Sequence, residues 1–426
     1  MFETLRNAWK VQELRKKILY TLLILFLYRL GCFVPVPGLN VTYLQSQVGN
    51  YDLLQLLSVM SGGALGDWTL FALGVGPYIT ASIILQLLTM AIPGLERLAK
   101  DGGEEGRKKI QQYTRYTAIA MALIESIGII MSLGSASDVL IPMGIPAWMQ
   151  FGVIGIVLTA GTTLVMWMGE RISEKGIGNG VSLSIFIGIV SGIPGRIAAY
   201  AQAMIAGTIG FWLIPVILIG LLALIVGVTF IDMGSRKVPV QYTKQVKGRR
   251  VYGGQSSFIP LKITQSGVLP LIFAMSLTSF PQLIMQAFFS TSKFYAWWVK
   301  WLGTGTVIYM IIYALMIIFF SYFANSMSFN PYDVARDMQQ YGGFIPGIRP
   351  GRPTAEYIRK ISNRLTLFGA IFLMIVAVIP TIFTSLTGVS SIFGPTSILI
   401  MVSVALETAR TLEAQLLARN YRGFLK

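Results

Sequence analysis

The chain alternates apolar stretches of about 20 residues, the length of a membrane-spanning helix, with polar connections. We count ten such stretches and predict a transmembrane helix for each. They cover residues 18–36, 70–92, 116–134, 149–168, 178–194, 209–231, 266–289, 305–325, 365–386 and 390–406. The predicted fold class is therefore an all-α polytopic membrane protein, with both termini on one side because ten is even.

Lys and Arg residues concentrate in alternate connections, as the positive-inside rule expects. Of the 34 Lys and Arg residues, only Arg196, Lys293 and Lys300 lie in connections on the opposite side, and Arg29 lies within the first stretch. We therefore expect both termini in the cytoplasm. The net charge of +16 then belongs mostly to the cytoplasmic face.

Residues 58–67 interrupt this pattern, because they are too polar and too rich in glycine to face lipid as a helix. The chain is apolar again from Leu70 onward. We interpret the broken piece as a half-helix that folds back into the molecule ahead of a full span, with an ordinary extracellular loop as the alternative. Irregular backbone at membrane depth survives only inside protein or beside an aqueous cavity, so a cavity is expected here.

The ten stretches divide into two halves of five, residues 1–206 and 207–426. Because five is odd, the second half must be inverted relative to the first. The second and seventh stretches begin alike, with GVGPYITASI and GVLPLIFAMS. Inverted repeats place the working site between the halves, near the membrane midplane.

Two connections on the cytoplasmic side, residues 232–265 and 326–364, are long and patterned. The first has β-favouring residues on both sides of a basic turn at residues 247–250, which predicts a hairpin. In the second, Gly and Pro surround Arg349 ahead of a short helix. Each is either a docking surface or a solvated loop that sets orientation.

The amino-acid composition excludes several kinds of catalytic and metal-binding site. The 426 residues are 54% hydrophobic and 12% charged, and the mean hydropathy is +0.66. With no histidine and a single cysteine, Cys32, the chain lacks the residues for disulfides, His or Cys metal sites and Ser-His catalysis. There is also no nucleotide-binding motif, so we expect no cofactor and no enzymatic activity.

Only two ionisable residues, Arg29 and Glu125, lie well within predicted spans. Such residues are often functional, but either one can also anchor a neighbouring helix or a partner subunit.

Two aliphatic pairs, Val75 with Ile79 and Val181 with Ile185, have the i, i+4 spacing of one helix face. The pairs are compatible with a collar or with ordinary core packing. The glycines of residues 176–180 predict a flexible start to the fifth span.

Several motifs together are more specific than any one of these features: GGALGDWTLFALGVGPYITASIILQLLT, DGGEEGRKKIQQYTRY, EKGIGNGVSLSIF, KGRRVYGGQSSFIPLKIT, GVLPLIF and PGIRPGRPTAEYI. In this order and spacing the chain closely resembles the SecY family, the pore-forming subunits of the bacterial Sec protein translocon. The resemblance implies a protein-conducting channel for unfolded polypeptides, made of two five-span halves and closed by a re-entrant plug.

The resemblance assigns roles to particular positions. It implies a pore ring of aliphatic side chains at Val75, Ile79, Val181, Ile185, Ile272 and Ile400. It places the plug at about residues 58–67, including Met60, Ser61, Gly62, Gly63, Ala64 and Leu65. It also implies a lateral gate, through which signal sequences reach lipid, beside Thr80, Gln86 and Ser276.

The two cytoplasmic loops are then docking sites, with key residues Arg249, Arg250 and Arg349. The implied partners are the SecA motor ATPase, a ribosome contacted through its RNA, and the SecE and SecG membrane subunits. The implied location is the bacterial plasma membrane.

Two other classes of function stay open on the residues alone. A secondary transporter with inverted repeats would need a polar or charged midplane site, which the scarcity of intramembrane charge disfavours. An intramembrane protease or lipid transferase is disfavoured by the absence of histidine and of paired carboxylates.

Overall fold

Helices make up most of the protein, because a helix is the one structure in which a single segment in lipid satisfies all of its own backbone hydrogen bonds. The computed structural model describes residues 2–48, 58, 61–100, 102–132, 139–142, 144–205, 213–242, 245–247, 250–252, 256–264, 267, 269–289, 292–303, 306–387 and 395–423.

The helices, numbered along the described chain, are α1 (Phe2–Lys10), α2 (Gln12–Gly31), α3 (Val41–Val48), α4 (Gly76–Ala91), α5 (Pro93–Lys100), α6 (Gly103–Ser132), α7 (Ala147–Lys175), α8 (Gly180–Ile205), α9 (Leu213–Met233), α10 (Leu269–Phe289), α11 (Lys293–Leu302), α12 (Val307–Ser328), α13 (Pro331–Gln340), α14 (Arg352–Thr387) and α15 (Pro395–Gly423). A helix lies over each of the ten predicted stretches, namely α2, α4, α6, α7, α8, α9, α10, α12, α14 and α15.

Length and apolar composition identify four candidate membrane spans among the described residues: Gly103–Met131, Ala147–Lys175, Val307–Gln340 and Arg352–Ile379. The pair α4 and α5 passes the same test together, with a bend of 107° between the two helices. The protein is therefore a mainly helical membrane protein.

The second predicted span begins later than the sequence suggests. We expected apolar helix from Leu70, but residues 61–75 form turns and α4 begins at Gly76. The reason is Pro77, which lies in the first turn of α4. Proline has no backbone N–H to donate and disfavours helical backbone in the residue before it, so the helix does not extend further back.

The described residues cluster into two compact units. The first contains Met1–Ile209, Ser279–Thr304 and Val404–Lys426. Within it, α6 packs against α4 and α7. Arg115 and Glu170 join α6 to α7 by an ion pair of 2.7 Å.

The second unit contains Gly210–Thr278 and Gly305–Ser403. Its helices α12 and α14 pack together around a buried polar pair, in which the Asn325 amide donates to the Ser362 hydroxyl over 3.1 Å. The described residues of this unit contain five strands: β1 (Ser235–Tyr242), β2 (Gln245–Lys247), β3 (Arg250–Tyr252), β4 (Ser256–Lys262) and β5 (Gly343–Phe344).

The predicted hairpin in residues 235–262 is confirmed. Strands β1 and β4 pair antiparallel, with Val238 opposite Ile259, and β2 and β3 form a second antiparallel pair in which Lys247 lies opposite Arg250. Along β1, Val238 and Val240 are buried while their neighbours are exposed, which is the alternation of a strand with one packed face.

Candidate functional site

A capping turn, residues 61–63, lies ahead of α4 and is separated from it by residues 64–75. Gly62 and Gly63 have left-handed backbone, with φ of +70° and +91°. The N–H of Gly63 donates to the carbonyl of Ser58 over 2.7 Å. A bond of this reach past a left-handed glycine is typical of a helix C-terminal cap. Met60, predicted to belong to the plug, lies outside the described residues.

The packed segment, residues 64–75, follows the capping turn and is buried in the apolar core of the first unit. Leu65 and Trp68 are 0% and 1% exposed and pack in a cluster with Ile130, Ile154 and Leu158. Trp68 has a φ of +49°. Left-handed backbone costs a non-glycine residue roughly 1 to 2 kcal/mol, which its deep burial offsets.

Small residues on neighbouring helices admit this segment. The Phe71 ring stacks on Tyr28 of α2, with centroids 5.6 Å apart, and fills the space beside Gly31, where a Cβ would overlap it. The carbonyl of Leu70 similarly occupies the position that a Cβ on Gly161 of α7 would need. Close backbone approach at small residues is how membrane helices gain contact area.

Arg29 reaches the capping turn from the last turn of α2. Its Nη1 donates to the carbonyl of Gly62 over 3.0 Å, and its guanidinium carbon lies 5.4 Å from the centroid of the Phe33 ring. The sequence left the role of Arg29 open. The structure gives it a specific partner in the segment that precedes α4.

The start of α8 is held firmly, so the prediction of flexibility at residues 176–180 is wrong. A Cβ on Gly180 would overlap the carbonyl of Gly169 in α7, and one on Gly176 would overlap the Thr21 hydroxyl in α2. The same Thr21 hydroxyl accepts the N–H of Ile177 over 3.1 Å. These glycines therefore provide room for close packing.

Asn179 caps α8. Its side-chain oxygen accepts the N–H groups of Val181 and Ser182 over 3.0 and 3.3 Å. An amide oxygen that satisfies the first free N–H groups of a helix is a favourable N-cap. The cap and the glycine contacts together fix the direction in which α8 leaves the turn.

Four of the six predicted ring positions lie in the first unit, at the beginnings of two helices. Val75 is the N-cap residue of α4, and its carbonyl accepts the N–H of Ile79 over 3.1 Å. Val181 and Ile185 occupy the first two turns of α8. Val75 and Ile185 are buried, whereas Ile79 and Val181 are half-buried.

The other two ring positions, Ile272 in α10 and Ile400 in α15, lie in the second unit. They are 7% and 1% exposed. Each of the six positions is thus an aliphatic side chain near the beginning of a helix. Their assembly into one ring remains a prediction.

In the second unit, the two long loops are joined in one sheet, which sequence reasoning missed. Strand β5 comes from the second loop and pairs with β1 of the hairpin through Gln241 and Phe344, giving the order β4-β1-β5. A strand of two residues has too little pattern to be recognised in a sequence. An apolar cluster beneath the sheet unites both loops and consists of Val238, Val240, Leu261, Met338, Ile345 and Ile358.

Arg349 follows this sheet in an exposed turn. Its carbonyl accepts the Thr354 hydroxyl over 2.8 Å, which ties the turn to the beginning of α14. Arg250 lies in β3 at the far end of the hairpin, and Arg249 lies outside the described residues.

The SecY family model matches residues 69–409. The SecY protein translocase subunits of Mycobacterium tuberculosis and Streptomyces coelicolor are 43% and 45% identical to this chain, and each alignment covers 100% of both proteins. The chain belongs to the SecY family. The resemblance drawn from its sequence motifs is therefore confirmed.

Solved structures share this SecY fold. A structure of a protein-conducting channel matches 94% of this chain and 92% of its own, with a TM-score of 0.67 and 19% identity. The Sec61 channel in a canine ribosome-channel complex from the endoplasmic reticulum matches the same shares with a TM-score of 0.60 and 19% identity.

Two of the polar residues predicted to border a SecY lateral gate form hydrogen bonds within their own helix. Thr80 donates to the carbonyl of Gly76 over 3.2 Å, and Gln86 donates to the hydroxyl of Ser82 over 3.2 Å. Ser276 belongs to α10, whose side chain at that position lies outside the description. Their part in a gate remains a prediction.

A different polar contact joins two of the helices at that predicted seam. The hydroxyls of Thr278 in α10 and Tyr309 in α12 lie 3.5 Å apart. Sequence reasoning missed this pair, because Thr and Tyr in apolar helices are common and carry no spacing signal. Glu125, the other predicted intramembrane charge, lies half-buried in the middle of α6.

Proposed function

We propose that the protein is the central subunit of the channel that moves unfolded secretory polypeptides across the bacterial plasma membrane and releases hydrophobic segments sideways into lipid. The observation that carries this proposal is the full-length similarity to SecY translocase subunits. The channel is passive and not an enzyme, so the energy for transport comes from a partner.

In this proposal all ten apolar helices cross the membrane, in two inverted halves at residues 1–206 and 207–426. Both termini and the two long loops face the cytoplasm. Support comes from the helix found over each predicted stretch and from the Lys and Arg residues that collect in alternate connections.

The six aliphatic positions form the narrowest part of the pore. An apolar constriction closes to ions because water leaves it readily, and it offers a passing polypeptide no specific polar site. The capped start of α8 and the proline start of α4 support this role, because both place an aliphatic pair at a fixed helix end.

Residues 58–67 form the plug, which covers the ring from the outer side when the channel is idle. Two features of the described part support this assignment. The backbone at residues 61–67 is irregular, and it is buried by protein on several sides, as expected of non-helical chain at membrane depth.

The lateral gate lies between α4 and α10, with α6 and α12 beside them. Thr80, Gln86 and Ser276 border the seam. Interhelical hydrogen bonds of polar side chains in membranes are worth about 0.6 to 2 kcal/mol, which is weak enough for a hydrophobic signal sequence to displace.

The joined loops of the second unit form the docking surface for the SecA motor or for a ribosome, through Arg249, Arg250 and Arg349. Contact with ribosomal RNA through these arginines is expected to weaken as salt rises, because it releases counterions from phosphate. SecE and SecG are the expected membrane partners.

A crosslinking experiment tests the channel. In a background with Cys32→Ser, single cysteines replace Ile79, Ile272 or Ile156, and each variant is crosslinked to a polypeptide stalled midway through export. Ile156 is the control, since it is 64% exposed on the outside of α7. We expect crosslinks at Ile79 and Ile272 and none at Ile156. Crosslinks at neither ring position would mean that the polypeptide does not pass here, and the transporter alternative would return.

A further inference from the structure

We propose that Arg29 is a positioning residue that latches the capping turn, residues 61–63, and so keeps the plug closed. On release, the plug opens at this turn, while its residues 64–67 stay in place with the rest of the packed segment, residues 64–75. The inference rests on the proposed function, because a latch has meaning only if these residues close a channel.

The two parts of the region are held by different forces. The packed segment is held by burial, with Leu65, Trp68 and Phe71 each exposed by 1% or less. In the capping turn, Ser61 is also buried and its hydroxyl accepts the N–H of Leu65, whereas Gly62 and Gly63 are half-buried and Gly62 is held by the bond from Arg29 to its carbonyl. Separating polar groups into water costs little net free energy, because water replaces the lost bonds, whereas exposing buried apolar surface is costly. The two glycines of the capping turn are therefore the part that can move.

The guanidinium is well placed for a reversible hold. Among the described residues no carboxylate forms an ion pair with Arg29, so its charge is stabilised by the Gly62 carbonyl and by the Phe33 ring. Away from water such a charge-assisted bond is strong. When a polypeptide and its water enter the pore, hydration of both groups weakens the bond. The latch thus responds to the event that must open the channel.

The surroundings of Gly62 make this contact tight. A Cβ added there would lie 2.8 Å from Arg29 Nη1, 2.7 Å from the Ser191 hydroxyl and 2.9 Å from the Gly188 Cα of α8. Around Gly63, by contrast, no heavy atom of the described residues lies within 4 Å of an added Cβ. Both glycines have positive φ, so they form a matched pair.

The test measures ion conductance of the complete channel, with its partner subunits, in planar bilayers without a translocating polypeptide. Arg29→Met should raise the resting conductance about tenfold or more, the effect expected from losing one hydrogen bond to a charged group. Arg15→Met, which removes the same charge from an exposed site on α2, should leave conductance at the wild-type level. A sealed Arg29→Met channel would overturn the latch.

Gly62→Ala perturbs the same hydrogen bond at its acceptor residue and leaves the Arg29 side chain unchanged. It should raise conductance several-fold more than Gly63→Ala, because both variants strain the backbone but only the first displaces the guanidinium and α8. Equal conductance for the two variants would contradict the proposal, and so would a reversed order. The two glycine variants also test the latch if the Arg29→Met protein does not fold.

A combined variant separates a latch from a general role of Arg29 in holding α2. In a channel that lacks residues 61–65, Arg29→Met should add no further conductance, since there is no turn left to release. An additive effect would show that Arg29 acts elsewhere and would overturn the inference. If the deletion leaks and Arg29→Met does not, only the latch fails. If the wild-type protein carries no polypeptide at all, the proposed function itself fails.

Discussion

Two glycine-rich segments of the first unit precede apolar helices, and two glycines of the first differ in surroundings from one glycine of the second. At residues 176–180, before α8, backbone and side-chain atoms of α2 and α7 occupy the space that a Cβ on Gly176 or Gly180 would need. In the capping turn, Gly63 has open space around it and contributes a left-handed backbone that other residues rarely adopt. In the proposed latch, the first segment is a fixed base for its helix, while the second can detach. Two segments of similar composition thus differ in how firmly they are held, and the atoms packed around their glycines determine the difference.

The largest effect that separates the two segments is expected from Gly180→Ala. The new methyl group would overlap the carbonyl of Gly169 and crowd the Cβ of Ile172, and both atoms belong to the rigid helix α7. Overpacking of this kind typically costs about 1 to 3 kcal/mol, and a backbone clash lies at the upper end. Unfolding of the purified protein in detergent measures the loss.

The control is Gly195→Ala in the same helix, where no heavy atom of the described residues lies within 4 Å of the added Cβ. Alanine is a better helix former than glycine, so this variant should match the wild type or exceed it by up to about 1 kcal/mol. If both alanines are tolerated equally, the start of α8 is not a fixed base.

A smaller effect is expected from Gly161→Ala, which tests how the packed segment is held. Its methyl group would overlap the Leu70 carbonyl, but Leu70 lies in a turn that can shift more easily than a helix. We expect a loss of about 1 to 2 kcal/mol in the same unfolding assay. Because residues 61–75 would move, resting conductance should rise as well.

Gly152→Ala, also in α7, is the matched control, because its added Cβ meets no described atom within 4 Å. A Gly161→Ala protein with normal stability and a normal seal would mean that the packed segment tolerates displacement. The contrast between the packed segment and the capping turn would then be lost.

The smallest effect is expected from Asn179→Ala, which removes the cap of α8 but keeps its glycine contacts. Loss of an N-cap costs about 1 kcal/mol. Asn179→Asp keeps a side-chain oxygen acceptor and should restore most of that stability. Unfolding midpoints of the two variants measure the difference, and an Asp variant as weak as the Ala variant would show that the cap bonds do not stabilise α8.

Much of the fold could be predicted because lipid imposes simple rules on a chain. A stretch of about 20 apolar residues has to be helical, so a helix lies over every predicted stretch. The hairpin at residues 235–262 was also predictable, because β-favouring residues flank a basic turn. The start of α4 was not, since apolarity alone runs back to Leu70 while Pro77 sets the boundary.

The site was harder to predict than the fold. The i, i+4 spacing of Val75 and Ile79 was visible, but Val75 turns out to be a cap residue, a distinction that composition does not make. Arg29 was recognised as a charge within a predicted span. Its partner is a backbone carbonyl 33 positions away, and because every residue has a carbonyl, the sequence does not indicate which one accepts the bond. Likewise β5 is recognisable only through its pairing with β1.

The sheet that joins the two loops also determines how a mechanical load would travel. Because β1 is hydrogen-bonded to both β4 and β5, a pull on the hairpin is shared at once with the loop that leads into α14. That helix has 36 residues and is about 54 Å long, against a hydrocarbon core of about 30 Å. In the proposed membrane arrangement, roughly two fifths of its length extends beyond the lipid, as a stiff rod between the sheet and the membrane.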